Sequence, residues 1–300
     1  MDVKYDTYQA TWTYVGDKGT VTAWYHDVPK GLKGEQIGVI GAFRASDEAV
    51  ALELIQKAVS YLEEHKVAYI VGPMNQNTWH SYRFLLETER QSPFLMEPSQ
   101  PKEYVEWFQR AGFLPHQNYY SFANKLIHFI KSKEELELIY EEKGIIIQDA
   151  SAFTDEEILR MNYDISKRSF INNIYYTPID YEEYEDIYKP AISMLQKKYL
   201  YYAFAEQKAI GFLLGIPDFA EIQNGQPLKT ILFKTFAVLP EYQKLGLATA
   251  LMGCVAHVAK ANGLTNGVMA LVHENNHTMH MLPNQHMCSH YVLYRRDCSE

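Results

Sequence analysis

Cysteine, basic charge and long apolar runs are all in short supply in this chain. Its three cysteines, Cys254, Cys288 and Cys298, are odd in number and crowd toward one end, so they make no disulfide framework, and reduced thiols are the expectation. Lysine and arginine number 28 against 37 acidic residues, a net charge of -9. Nucleic-acid affinity rests on clustered cations that release counterions from phosphates, and this balance excludes nucleic acid as an expected partner. No stretch approaches the ~20 apolar residues that span a bilayer, and Met1 to Gln9 lack a basic region followed by an apolar run. The expectation is a cytoplasmic protein with no membrane partner.

What is there is apolar material enough for a core: 47% of 300 residues are hydrophobic, and length alone favours about two domains. Ile37 to Phe43 (IGVIGAF) reads as a buried strand. Ser46 and Asp47 then offer an N-cap to an amphipathic helix running to about Glu64, and a second strand follows at Val67 to Val71. After Gly72-Pro73 an irregular, proline-rich stretch continues through Pro101. Tyr104 to Ala111 carries apolar side chains at helical spacing and stops at Gly112, and Phe113 onward, including Tyr119 to Phe122, reads as a strand. Lys131 to Lys143 is charge-rich and helix-prone without a core strand, which places a domain boundary there: residues 1–130 and 144–300.

The second half begins afresh. Ile145 to Ile147 gives a short strand, Thr154 with Glu157 forms a capping box, and Tyr181 to Lys197 supplies a helix. Strands follow at Tyr199 to Ala205 and Ala209 to Ile216 across the polar turn Glu206 to Lys208, then at Thr230 to Val238; Leu247 to Ala261 is a helix, and Val268 to Val272 and Tyr291 to Arg295 close the order. Both halves run strand, long helix, strand, short helix, final strand, the pattern of a divergent tandem repeat. The fold class expected is mixed α/β (α+β): two units in tandem, each a mixed, largely antiparallel sheet flanked by helices.

The segment that carries chemistry is Phe236-Ala-Val238-Leu-Pro240-Glu-Tyr-Gln243-Lys244-Leu-Gly246-Leu-Ala248-Thr249. A strand ends, a proline turns the chain, and a small-residue loop opens a helix. Gly246 lets the main chain approach a ligand closely, Ala248 keeps bulk away from the helix start, and unpaired N–H groups with the helix dipole favour a diphosphate. Taken alone, Q-x-x-G-x-A is also found in ordinary strand-to-helix turns.

In its context the segment resembles the GNAT acetyltransferases, whose signature is a strand ending in V-x-P, then Q/R-x-x-G-x-G/A, a long helix, a strand, and an Asn before a short helix. Here those elements are Val238-Leu239-Pro240, Gln243 to Ala248, the helix to Ala261, the strand to Val272, and Asn276. The resemblance covers residues 145 to 300. It implies acetyl-coenzyme A as co-substrate, with Phe236 and Val238 meeting the pantetheine arm through backbone groups. It implies a pyrophosphate cradle from Gln243, Lys244, Gly246, Ala248 and Thr249, and Asn276 supporting the cofactor near the thioester. Families of this type often place a Tyr seven residues after that Asn as general acid, whereas this chain has Pro283. The strand Ile231 to Val238 also lacks the Glu that some members use as a base, offering Lys234 and Thr235. His273 or Glu274, just past the neighbouring strand, or a water relay, is then the expected proton acceptor.

The first half resembles a degenerate copy. Trp107-Phe108 to Gly112-Phe113 matches the closing helix-to-strand signature, but Phe43-Arg44-Ala-Ser-Asp47-Glu48-Ala49 stands where a cradle belongs, with two carboxylates and no glycine. Coenzyme A is disfavoured there on charge. Trp79, His80 and Tyr82 read either as an acceptor pocket or, more commonly for such aromatics, as packing beneath a long loop. Tyr175, Tyr176, Tyr181, Tyr184 and Tyr188, interleaved with Asp180, Glu182, Glu183, Glu185 and Asp186, form either an acidic rim that attracts an amine or a solvated helix face. His277, His280, His286, Cys288 and His290 could be arranged around a metal, but no paired Cys motif fixes a geometry, so no metal site is expected.

The function expected is N-acetyl transfer from acetyl-coenzyme A to a primary amine of a small molecule or peptide, by direct attack in a ternary complex. Cys254 is expected in the core of its helix rather than in catalysis. Two alternatives stand beside it: a noncatalytic acyl-coenzyme A sensor, and a tandem transferase using another activated acyl donor. A homodimer is left open by the sequence.

Overall fold

A computed structural model of the chain describes residues 5–6, 11–130, 140, 143–192, 194–280 and 283–298. Its strands join one mixed sheet. In the first half these are β1 (Tyr5–Asp6), β2 (Thr11–Gly16), β3 (Gly19–Trp24), β4 (Gly38–Ala45), β5 (Tyr69–Gly72), β6 (Phe84–Thr88) and β7 (Leu114–Lys125). In the second half they are β8 (Ile145–Asp149), β9 (Leu200–Ala205), β10 (Lys208–Pro217), β11 (Thr230–Val238), β12 (Asn266–His273) and β13 (His286–Asp297). The order across the sheet is β1-β2-β3-β4-β5-β13-β7-β12-β11-β10-β9-β8, with β6 also on β13. Pairing is antiparallel except between β4 and β5 and between β11 and β12. Each parallel pair is joined by a long helix, α1 (Glu48–Glu64) and, after the intervening elements, α6 (Leu247–Ala261). The other helices are α2 (Glu103–Arg110), α3 (Asp155–Ser169), α4 (Tyr181–Ile192) and the single turn α5 (Phe219–Gln223).

The order reads alike from both ends, and its middle is an exchange. β13 pairs with β5 of the first half, while β7 pairs with β12 of the second, and β13 and β7 pair with each other. Each half thus receives the other's last long strand. The cores follow: Phe122 of β7 with Leu126 and Phe129 just beyond it pack in the cluster under α3 and α6, and Val292 and Tyr294 of β13 pack in the cluster under α1 and α2. Apolar burial supplies about 25 cal/mol per Å², so each half draws a share of its stabilisation from a strand of the other.

Local rules explain most of the element ends. Asp47 accepts from Val50 N–H at 3.0 Å and starts α1; Thr154 and Glu157 bond reciprocally and start α3. Glu206 and Gln207 take φ of 48° and 65°, the positive values of a tight two-residue hairpin turn. The structure differs from the sequence reading in several places. The strands β1, β2 and β3, β6 and α5 were not expected, and β13 begins at His286 rather than Tyr291. The helix from Tyr181 ends at Ile192 rather than Lys197, because Pro190 removes a donor and clashes with the preceding turn, so the helix stops soon after it. Of the stretch read as a domain boundary, residues 131–139 and 141–142 lie outside the described residues.

Candidate functional site

The site is built where β11 leaves β12. Their parallel ladder runs from Thr230–Asn266 to Phe233–Met269 and stops, although β11 continues to Val238 and β12 to His273. On its other edge β11 stays paired to β10 as far as Val238. Leu239 N–H donates to Ile210 C=O at 2.8 Å, so strand alternation turns the polar groups of Phe236 and Val238 toward the gap. One of them is already engaged: Gln243 Nε2 donates to Val238 C=O at 3.1 Å.

Beyond the strand, Pro240–Tyr242 makes a short 3-10 turn, and Lys244 and Gly246 take φ of 65° and 79°. Left-handed positions in such a loop swing successive N–H groups to one side. α6 opens directly after Gly246 with no side-chain cap. Among the described residues, none of the N–H groups from Lys244 to Thr249 has a hydrogen-bond acceptor, and the corner faces out: Gln243, Lys244 and Gly246 are exposed, Ala248 and Thr249 half-buried. Unpaired donors at a helix mouth, with the dipole of a helix of 15 residues behind them, suit a diphosphate. Glu241, a carboxylate in the same turn, is paired with Arg168 of α3 at 2.8 Å.

The far side of the gap holds the proton-transfer candidates. His273 ends β12; its Nε2 meets Gln117 Oε1 at 2.9 Å and its Nδ1 accepts from Asn275 N–H at 3.1 Å. Burial holds its imidazole below the usual histidine range, in the neutral form. Glu274 accepts from the N–H and side-chain amide of Asn118 at 2.9 and 3.1 Å. Asn276 accepts from the N–H and hydroxyl of Thr278, each at 3.0 Å, and so caps the short helix His277–His280. Gln117 and Asn118 belong to β7 and were not singled out in the sequence; nothing short of knowing the strand exchange would have placed them beside β12. Pro283, exposed, provides only a C=O, on which Asn124 donates at 2.8 Å.

The equivalent corner of the first half is closed by its own chain. β4 and β5 pair only at Gly38–Ile70 and Val39–Val71. The gap beyond is filled by Met74, whose N–H donates to Ile40 C=O at 2.8 Å, and by Asn75, whose Oδ1 accepts from Ala42 N–H at 2.6 Å. Any side chain at Gly41 would strike Met74 C=O at 2.3 Å. Ala45 N–H goes to the Tyr104 hydroxyl, Ser46 N–H to Lys18 C=O, and Val50 N–H to the Asp47 carboxylate. Here the N–H groups of Ala45, Ser46 and Val50 are engaged within the chain, and Asp47 and Glu48 put carboxylates at the mouth of the helix.

The remaining sequence signals resolve individually. Trp79 is buried, stacked edge-on against Tyr184 and Tyr176, with its indole N–H on Thr177 C=O at 2.7 Å. It is packing rather than pocket. His80 lies at a surface cleft with Asp180, Glu182, Glu183 and Asp186 and bonds Glu183 at 3.1 Å. Tyr184 is core, whereas Tyr181 and Tyr188 are half-buried. His286 bonds Glu89, the Cys288 thiol donates to Ser121 C=O at 3.3 Å, and His290 stacks on Tyr120. Cys254 is half-buried on α6, 3.7 Å from the Tyr140 hydroxyl, and burial raises its thiol.

Residues 160–284 match the profile of the acetyltransferase (GNAT) family. No curated protein matches the chain. Among solved structures, the chain is similar to a GCN5-related glucosamine N-acetyltransferase region of a fungal multi-domain beta-N-acetylglucosaminidase, with a TM-score of 0.56, 12% identity, and 96% of this chain against 33% of that one. It is similar to a GCN5-related N-acetyltransferase from Sphaerobacter thermophilus, with a TM-score of 0.51, 13% identity, and 95% against 82%. It is also similar to a conserved protein from Enterococcus faecalis described as a probable N-acyltransferase, with a TM-score of 0.53, 10% identity, and 96% against 61%. The likeness at these identities is one of fold, and the chain spans a third of the fungal protein and about three fifths of the last. No helix among the described residues is long and apolar enough to cross a membrane.

Proposed function

We propose that this chain, which carries a domain of the acetyltransferase (GNAT) family over residues 160–284, is an N-acetyltransferase that uses acetyl-coenzyme A and acts on a primary amine. One observation carries the reading: a row of unpaired N–H groups at the mouth of α6 follows directly on the edge of β11 that β12 leaves unpaired, and one extended ligand with a diphosphate at one end would meet both. Lys244, Gly246, Ala248 and Thr249 hold the diphosphate, Gln243 braces the turn through Val238, and Phe236 and Val238 offer backbone groups to the pantetheine arm.

The acceptor amine attacks the thioester carbonyl carbon directly, the C–N bond forms, and the C–S bond breaks with release of coenzyme A. Holding both reactants in the gap makes the step effectively unimolecular, and main-chain donors on the free edge of β11 stabilise the oxyanion. His273, neutral through burial, takes the proton that the ammonium must lose, giving up its bond to Asn275 as it does so. Glu274, clasped to Asn118, fixes the end of β12, and Asn276 orders the turn that follows. With Pro283 in place of a tyrosine, the leaving thiolate takes its proton from water. The acidic cleft along α4 draws a cationic amine toward the gap.

The test is release of free thiol from acetyl-coenzyme A by the whole chain in the presence of a panel of primary amines, with the acetylated product identified by mass. Amine-dependent release is expected. Tight binding of acetyl-coenzyme A with no release from any amine would favour the sensor reading, and no binding at all would end both.

A further inference from the structure

Among the described residues, two cations beside the gap make no salt bridge. Arg83, in the turn entering β6, is 9% exposed. Its guanidinium lies 4.1 Å from the ring centre of Tyr82 and 4.2 Å from that of Tyr119. Its Nε and Nη1 are buried with no hydrogen-bond partner. On β11, Lys234 sits immediately past the last residue paired with β12; its Nζ reaches Met96 C=O at 3.4 Å and hangs 4.8 Å over the Phe94 ring. Tyr119, against which the guanidinium lies, has its ring centre 4.9 Å from that of His273, which puts Arg83 at the gap. Burial first, and repulsion from Arg83 second, push the Lys234 ammonium down to about 7. The neighbouring carboxylate, Glu97, attracts Lys234 but makes no salt bridge to either cation: it takes the Phe94 N–H, the Tyr291 hydroxyl and the Arg90 guanidinium.

A guanidinium withdrawn from water and left unpaired is costly, and its planar fork matches the paired oxygens of a carboxylate or phosphate. We propose that the acceptor amine also carries an oxyanion, a carboxylate or a phosphate, and that Arg83, with Lys234 beside it, binds that group while the amine faces the thioester. Such an acceptor has both charges, which fits an acidic approach along α4 and an inner pair of cations. The identity of the amine rests on the acetyltransferase reading; the anion site does not.

The experiment uses the full chain, its Arg83→Met variant, and matched amines: β-alanine against β-alaninamide, and O-phosphoethanolamine against ethanolamine. In the wild type the anionic member of at least one pair should turn over with kcat/KM roughly 10- to 100-fold higher, the size of a charge-assisted pair; which pair shows it tells carboxylate from phosphate. Arg83→Met should erase that preference through KM while leaving acetyl-coenzyme A affinity unchanged. A separate arm titrates β-alanine and inorganic phosphate by calorimetry, where saturable binding to the wild type and its loss in Arg83→Met are expected. Arg83→Met gives up the contacts with Tyr82 and Tyr119 but also removes a buried charge without an anion, so Tm should change little; if that variant fails to fold, Lys234→Met replaces it, with a weaker loss of the same preference. Equal turnover within each pair, together with no Arg83-dependent binding, would overturn the proposal. Arg83-dependent binding without any acetyl transfer would uphold the anion site and sink the enzymatic reading instead.

Discussion

Substituting valine for Gly246 separates the cost of backbone strain from the cost of a lost ligand site. Gly246 sits at φ 79°, where an L side chain pays about 1–2 kcal/mol and a β-branched one more. In a domain of this size each kcal/mol moves Tm by roughly 2–4 °C. The same side chain would add bulk at the residue that immediately precedes the N–H groups opening α6. Hydrogen bonds from main-chain donors to a charged diphosphate contribute about 1.5–3 kcal/mol each, so displacing two of them weakens binding by about 3–6 kcal/mol, or roughly two to four orders of magnitude in Kd. The other end of the same helix supplies the control. Gly263 has φ 84° with nothing within 4 Å of where a Cβ would be, so Gly263→Val carries comparable strain without touching the cradle. Calorimetry with acetyl-coenzyme A should therefore show a Kd near wild type for Gly263→Val and a collapse for Gly246→Val, with similar Tm losses. If Gly246→Val binds within twofold of the wild type, or Gly263→Val weakens binding equally, the assignment of the cradle is wrong.

Binding should saturate at one acetyl-coenzyme A per chain, because the first-half corner is filled by Met74 and Asn75; two equivalents by calorimetry would contradict this. Asn75→Ala strips the partner from the exposed Ala42 N–H and should cost about 0.5–1.5 kcal/mol, read as a fall in the denaturation midpoint, without creating a second site. Thr154→Ala removes one side of a capping box and should destabilise by about 1 kcal/mol; an unchanged midpoint would show that α3 does not depend on its cap. Burial lowers His116, His273 and His290 below the ordinary value near 6.5, so the unfolded chain binds protons first as pH falls. Stability from these groups is complete above that value and declines as pH drops from about 6.5 toward their folded values. Tm should fall over that interval, and replacing all three by glutamine should flatten the fall; a wild-type Tm constant from pH 8 to 5 would refute it. Burial raises the Cys288 thiol to about 11, so it should react with a thiol reagent only after denaturation.

The parts that local chemistry dictates were legible in the sequence. Thr230 to Val238 and Leu247 to Ala261 coincide with β11 and α6, because a β-branched and aromatic run, a proline and a left-handed glycine mark their ends. Ser46-Asp47 and Thr154-Glu157 announced their helices by capping. The hairpin of β2 and β3 was readable too, since TWTYVG and GTVTAW flank the two-residue turn Asp17-Lys18 and were passed over. What no window of sequence reveals is pairing at long range. Gln117 and Asn118 look like two polar residues of an ordinary strand, and only the exchange of β7 brings them to His273 and Glu274. Arg83 likewise reads as a loop cation until Tyr82 and Tyr119 are seen to enclose it.

Crossing the two long strands has a temporal corollary. The partner that completes the edge of β5 is drawn from residues 286–297, far along the chain, so the first half keeps an unsatisfied border until that strand has been made. Neither half is then a module that evolution or an engineer could transplant alone. A lesion in the half without a cradle can thus reach the β11–β12 gap along β7.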